Sequence, residues 1–261
     1  MIFDTHAHYD DEAFDEDRDV VLTLLKDANV ASVVNVGASM ESSKRALELS
    51  KQYDFVYCAV GVHPSETTDL TESDYEWLCN HVHENKVVAV GEIGLDYYWD
   101  TPEREHQKEW FIKQLHLAIQ EEKPVIIHSR DAAADTLEIM KEAKEYAKSL
   151  NKSFTGVIHC FSYSVEMARE YVKMGFYLGV GGVVTFKNAK MIKEVVKEIP
   201  MEFIVLETDC PYLAPEPNRG TRNDSSNLKY VINMIADIKN LTPKEIIEQT
   251  EINAKTLYGI A

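Results

Sequence analysis

Ile2-Phe3-Asp4-Thr5-His6-Ala7-His8 is the stretch that decides how this chain reads. A short apolar entry runs directly into polar side chains. In an extended segment successive side chains alternate, so His6 and His8 point to the same side and could grip one metal ion. Two ordinary polar residues leaving a strand would look the same. The pattern gains weight because it recurs. Val87–Val90 leads through Gly91 to Glu92, and Val125-Ile126-Ile127 runs into His128. Val157-Ile158 runs into His159, and Val205-Leu206 leads through Glu207 and Thr208 to Asp209.

Eight short apolar runs can be picked out: Ile2–Thr5, Ala31–Val36, Phe55–Val60, Val87–Val90, Val125–Ile127, Gly156–Ile158, Phe176–Gly179 and Phe203–Leu206. Near-continuous apolar runs suit parallel strands covered on both faces. Amphipathic stretches separate them. One is Glu103–Glu121, with Trp110, Phe111, Leu115, Ala118 and Ile119 on a stripe and Pro124 beyond it. Thr242-Pro243-Lys244-Glu245 has the form of a helix-opening capping box. Asp209–Asn227, rich in Pro, Gly and polar residues, reads as a long ordered loop of the functional kind. Eight strand–helix units in 261 residues predict a single (β/α)8 barrel over residues 1–261, with a doubly wound open sheet as the rival. In a barrel, strands one, four, five, six and eight bring His6, His8, Glu92, His128, His159 and Asp209 to one C-terminal rim, where a metal site is expected. No repeat, low-complexity tract or linker divides the chain.

Composition narrows the function. The net charge is −17, from 27 basic and 44 acidic residues, which argues against a broad basic face that coats nucleic acid. It leaves room for a phosphate site built on metal ions. The 45% hydrophobic and 27% charged residues are those of a folded soluble protein. Cys58, Cys79, Cys160 and Cys210 form no CxxC pair, which argues against a disulfide scaffold or a cysteine-rich zinc site and fits a reducing cytoplasm. The first residues lack the pattern of a signal peptide, and no apolar run reaches membrane-spanning length. No stable protein partner is expected.

Other residues admit two readings each. His63, in Gly61-Val62-His63-Pro64, could contact a substrate phosphate or simply fix its loop. His81, His83, His106 and His116 fall in predicted helices and read as surface or packing residues. Arg130, Lys187, Arg219 and Arg222 could meet phosphate oxygens or be solvated charges. Tyr97, Tyr98, Trp99, Phe161 and Tyr212 could stack on a base or pack their loops.

Taken together, the motifs resemble those of the TatD-type metal-dependent hydrolases and deoxyribonucleases of the amidohydrolase superfamily. The resemblance runs almost end to end. It rests on Asp4-Thr5-His6-Ala7-His8, Gly61-Val62-His63-Pro64, Gly91-Glu92-Ile93-Gly94-Leu95-Asp96-Tyr97 and His128-Ser129-Arg130-Asp131-Ala132. It continues through His159-Cys160-Phe161-Ser162, Thr185-Phe186-Lys187-Asn188-Ala189 and Glu207-Thr208-Asp209-Cys210-Pro211-Tyr212-Leu213-Ala214-Pro215.

The resemblance implies two divalent ions. His6, His8 and Asp209 would hold the first, His128 and His159 the second, and Glu92 would bridge them, with Asp209 also contacting the water nucleophile. The mixed oxygen and nitrogen donors suit Zn²⁺, Mn²⁺ or Co²⁺, or Mg²⁺ with added water. Tyr163 stands where such proteins commonly have Gly, a departure that bears on substrate choice. The implied activity is hydrolysis of phosphodiesters, with DNA as substrate and an exonuclease mode. Hydrolysis of an ester or amide, as in deacylation of aminoacyl-tRNA, is the alternative, and a non-catalytic metal-stabilised binding protein the third reading. Tyr163, His63, Arg130, Lys187 and Arg222 are the expected substrate contacts.

Overall fold

The computed structural model describes residues 1–99 and 101–261. Its strands are β1 (Ile2–Ala7), β2 (Val30–Val36), β3 (Val56–Val60), β4 (Val87–Asp96), β5 (Val125–Arg130), β6 (Gly156–Ile158), β7 (Tyr177–Val180) and β8 (Ile204–Leu206). They form one eight-stranded sheet in chain order, β1 to β8. The helices are α1 (Arg18–Leu24), α2 (Met40–Gln52), α3 (Glu72–His81), α4 (Arg104–Gln120), α5 (Ala133–Ser149), α6 (Val165–Lys173), α7 (Lys190–Glu198), α8 (Leu228–Lys239) and α9 (Pro243–Tyr258). Alternation of parallel strands with helices makes this a (β/α)8 barrel, and the open-sheet rival is set aside. The first and last strands meet. Ala7 bridges Cys210 in parallel, the His8 amide donates to the Cys210 carbonyl at 2.8 Å, and the Asp209 amide donates to the His6 carbonyl at 2.9 Å.

Two compact units can be distinguished by their internal packing: Met1–Asn35 with Cys160–Ala261, and Val36–His159. In the first, α9 packs beneath β1 and β8. The Tyr258 hydroxyl donates to the Thr5 carbonyl at 3.0 Å, and the Asn253 amide reaches the Ile204 carbonyl at 2.7 Å. The expected capping box opens α9: Thr242 Oγ1 accepts from the Glu245 amide and Glu245 accepts from the Thr242 amide. In the second unit, β4 pairs with β3 and β5, and β5 with β6, all in parallel. Val90, Ile93, Ile126 and Ile127 of these strands are wholly buried, as are Leu115 and Ala118 of α4 and Met140 of α5.

The stripe read on α4 is buried as expected, with two glutamines added to it. Gln114 grips Val62 beyond β3: its Oε1 accepts from the Val62 amide at 2.8 Å and its Nε2 donates to the Val62 carbonyl at 3.1 Å. Gln107 does the same for Asp96 at the end of β4, with both bonds at 2.8 Å. The helix thus fixes the strand ends from below through side-chain amides that mimic a sheet ladder.

Several boundaries shift. β4 continues to Asp96 and β5 to Arg130, beyond the apolar runs that announced them. Extended pairing persists after the side chains turn polar, with Gly94 opposite His128 and Asp96 opposite Arg130. His83 lies past the end of α3 rather than in a helix. The segment 209–224 has no helix or ladder strand, and a short 3-10 turn follows at Ser225–Asn227.

Candidate metal centre

The unit that holds both termini carries one cluster. His6 and His8 leave β1 on the same side, and their Nε2 atoms lie 3.0 Å apart. Asp209 Oδ1 lies 3.3 Å from His8 Nε2 and 3.7 Å from His6 Nε2. His6 is wholly buried and His8 nearly so, while Asp209 is partly open to solvent. Donors around one ion at bond lengths of about 2.1 Å sit roughly 3.0–3.4 Å from one another. Two of the three spacings fall in that range and the third, 3.7 Å, lies just beyond it, so a small inward movement of Asp209 would complete a divalent-ion site of suitable donor chemistry.

A buried carboxylate holds that geometry from behind. Asp4 Oδ2 accepts from the hydroxyls of Thr208 at 2.7 Å and Ser225 at 2.6 Å, and Asp4 Oδ1 accepts from the Thr208 amide at 3.1 Å. These bonds tie β1 to the residue before Asp209 and to the long loop. Burial pushes the Asp4 carboxyl up to about 7, with its hydrogen bonds pulling the other way. Asp209 takes a left-handed backbone, φ +56°, a conformation that Asp tolerates better than most residues. Nearby, Glu207 is buried and accepts from the Cys160 amide at 2.6 Å. Gly179 makes room for it, since a Cβ there would lie 2.1 Å from Glu207 Oε2.

The Val36–His159 unit carries a second cluster, centred on Glu92. Its Oε1 lies 2.8 Å from His128 Nδ1, and 3.9 Å from both His63 Nε2 and His159 Nε2. The His63 and His128 rings meet edge to face at 4.2 Å. His63 thus stands among potential ligands as well as being a candidate substrate contact. Its own Nδ1 caps the 3-10 turn at Pro64–Glu66 by accepting from the Ser65 amide, so the loop-fixing reading of this residue also has a basis.

Asp96 was not singled out from the sequence, yet it completes this cluster. Its Oδ2 lies 3.1 Å from His128 Nε2, and its Oδ1 accepts from the Tyr98 amide at 2.9 Å. Glu92, Gly94 and Asp96 alternate on one face of β4, so the two carboxylates flank His128 across from Gly94. A Cβ on Gly94 would meet the His128 carbonyl at 1.9 Å, and its φ of +147° suits glycine alone. Burial alone would lower the His128 pKa, but the hydrogen bonds to Asp96 and Glu92 outweigh it and hold the imidazolium above the ordinary value. Burial likewise opposes ionisation of Asp96, and its bonds from His128 and Tyr98 keep that carboxyl below the ordinary value.

The expected substrate contacts are placed as follows. Arg130 is exposed, with its guanidinium 3.8 Å over the Tyr98 ring. Lys187 is exposed beyond the turn at Gly182–Thr185. Tyr163 is half-buried, edge-on to Phe161 at 6.0 Å. Arg222 is engaged by its own fold: two bonds to Asp17 at 2.8 and 2.6 Å, one to the Ala13 carbonyl, and a stack on Phe14. The four remaining histidines make local contacts. His81 stacks on Trp77, His83 pairs with Glu121, His106 bonds the Thr67 carbonyl and His116 packs on Tyr146.

The chain is similar to several known proteins. A family model described as TatD related DNase matches residues 3–259. The metal-dependent hydrolase YabD of Bacillus subtilis is 47% identical over 260 residues, covering all of both chains. YcfH of Escherichia coli K12, also named as a metal-dependent hydrolase, is 34% identical over all of this chain and 96% of its own. The crystal structure of YjjV, a TatD homolog from Escherichia coli K12, superposes with a TM-score of 0.92 at 29% identity, covering 100% of this chain and 98% of that one.

Proposed function

This chain belongs to the TatD-related DNase family and is a metal-dependent hydrolase, and from that premise we propose that it cleaves phosphodiester bonds in DNA, as an exonuclease, in the cytoplasm. The observation that carries the reading is the pair of His/carboxylate clusters at the C-terminal ends of their strands. In this reading residues 1–261 work as one barrel. His6, His8 and Asp209 would hold one divalent ion, His128 and His159 a second, and Glu92 would serve both. Ions bound there, whether Zn²⁺, Mn²⁺, Co²⁺ or Mg²⁺, supply positive charge for the phosphoryl oxygens and acidify a water.

The chain's own groups do the rest. Asp209 is the ligand carboxylate open to solvent, so it orients the attacking water and accepts its proton. His63, Arg130, Lys187 and Tyr163 contact the substrate strand. Arg222 can join them only by giving up Asp17.

The test is a panel of single-stranded DNA, duplex DNA, RNA, aminoacyl-tRNA and small esters, assayed with the purified protein loaded in turn with each metal. Cleavage of DNA ends is expected, and Asp209→Ala should lower kcat by on the order of 10²-fold or more at matched metal loading, with unchanged circular dichroism. Hydrolysis of esters or aminoacyl-tRNA with no action on DNA would replace the nuclease reading.

A further inference from the structure

We propose that Tyr98 and Trp99, with Arg130, form a stacking wall for the unpaired terminal base of the DNA strand, a proposal that rests on the nuclease reading above. Trp99 is 65% exposed and Tyr98 52%, whereas Trp110 and Tyr97 close by in sequence are buried. Large rings left in water beside a reactive cluster call for a ligand. The two rings brace each other edge to face, with centroids 4.7 Å apart and planes at 88°. One flat face is therefore already supported before anything binds.

The wall is attached to the Glu92 cluster through one carboxylate. Asp96 accepts from the Tyr98 amide with one oxygen and meets His128 Nε2 with the other. The base of the loop is held as well. The Tyr97 amide donates to the Arg130 carbonyl at 2.9 Å, and the Tyr97 hydroxyl donates to Asp135 at 2.7 Å. A base stacked on Trp99 would lie a few residues along the chain from Asp96, whose other oxygen meets His128 in the Glu92 cluster.

Charge identifies the occupant. In a chain of net charge −17, Arg130 lies over Tyr98 at 3.8 Å and makes no ion pair among the described residues. A cation resting on one aromatic ring beside a second, exposed ring, at the paired ends of β4 and β5, matches a nucleotide: phosphate for the guanidinium, base for the Trp99 ring. A protein partner would need a far larger apolar surface than two rings provide. Stacking needs a free base face, so the site takes single-stranded or frayed ends and is indifferent to base identity.

The experiment measures KM and kcat on a short single-stranded oligonucleotide with the metal-loaded protein, for wild type, Trp99→Ala, Trp99→Phe, Tyr98→Ala and Arg130→Gln. Each is assayed on an ordinary end and on one whose terminal nucleotide is abasic. Trp99→Ala should raise KM on the order of tenfold, and Trp99→Phe should recover most of that loss. On the abasic end the penalty for Trp99→Ala should shrink below threefold, because the group it contacts is gone. Titration with the oligonucleotide should quench tryptophan emission in wild type and much less in Trp99→Phe. A wild type that cleaves DNA while Trp99→Ala and Tyr98→Ala keep KM within twofold overturns the stacking wall and leaves the nuclease reading standing. An equal penalty on both ends overturns it too. A wild type that neither binds nor cleaves DNA overturns both.

Discussion

Asp96→Asn should weaken metal binding at the Glu92 cluster without removing a single expected ligand. The Asp96 carboxylate is 4% exposed and lies 3.1 Å from His128 Nε2. On metal binding a carboxylate there would hold the proton on Nε2 and free the Nδ1 lone pair for the ion. Asparagine keeps the shape and one acceptor but loses the charge. A hydrogen bond to a charged group contributes about 1.5–3 kcal/mol, and a neutral one about 0.5–1.5. The difference is about 1.3 kcal/mol, or roughly tenfold in metal affinity. Asp96→Ala loses the whole bond, so a loss on the order of 10–100-fold follows, in the range found for outer partners of metal-bound histidines. Competition against a fluorescent chelator at pH 7.5 measures both. In chelator-stripped protein the pair leaves a pH signature. His128 is raised above 6.5, so its contribution to stability is complete below 6.5 and is lost as pH climbs through its folded value. Asp96 is lowered below 3.8, so its contribution is present above 3.8 and is lost as pH falls through its folded value. The pair therefore stabilises the stripped protein most between those limits, and NMR titration of His128 should move down in Asp96→Asn. Metal affinities within twofold of wild type for both variants, with the fold intact, would refute the positioning role.

Three further outcomes can be checked on the same protein. Burial pushes the Cys58 thiol up to about 11 and Cys210 higher still, so a thiol reagent at pH 8 should label at most Cys79 and Cys160 until the protein is denatured. Thr242→Ala removes the hydroxyl that caps α9 and should cost about 1 kcal/mol, read as a fall in Tm of about 2–4 °C. Gly94→Ala forces a Cβ to 1.9 Å from the His128 carbonyl at a φ of +147°, so it should destabilise by more than about 2 kcal/mol and weaken metal binding together; a stable variant with full metal content would show that β4 and β5 can part at no cost.

The eight strands were legible because each buries both faces, which makes its apolar run nearly continuous. Gly156–Ile158 coincides with its apolar run, β2, β3, β7 and β8 differ from theirs by a single residue at one or both ends, and β1, β4 and β5 run on past theirs where the polar site residues begin. Ending β4 at Val90 concealed the alternation of Glu92, Gly94 and Asp96, and with it the role of Asp96. The apolar pattern stops where the site starts, although the hydrogen-bonded ladder does not. Gln107 and Gln114 were hidden for a related reason: an amide on a buried helix face looks like an interruption of the stripe until its backbone partners are known. The grouping of His6 and His8 followed from strand geometry, whereas their approach to Asp209 depends on the closure of β1 against β8, a contact between residues some two hundred positions apart. Arg222 shows the limit from the other side. A cation in a long loop has many possible partners, and only coordinates reveal that Asp17 and Phe14 already hold it.

How an acidic protein could handle a polyanion follows from the same contacts. Asp4, Glu92, Asp96 and Glu207 are buried, and Asp209 is partly so. Without cations, carboxylates such as Asp209 in one unit or Glu92 and Asp96 in the other would repel a phosphodiester from the strand end that bears them. The basic residues expected to offset them do so only in part: Arg222 is committed to Asp17, Arg130 leans on Tyr98, and Lys187 stands in solvent. A phosphate held mainly by Lys and Arg would need a denser basic surface than a net charge of −17 leaves. The carboxylates make sense instead as the price of recruiting divalent ions, whose charge then faces the substrate. On this view acidity and phosphodiester chemistry are not in conflict. Carboxylates beside histidines would concentrate divalent metal, and on the proposal made above aromatic faces, which carry no charge, would supply part of the grip that a basic groove provides elsewhere.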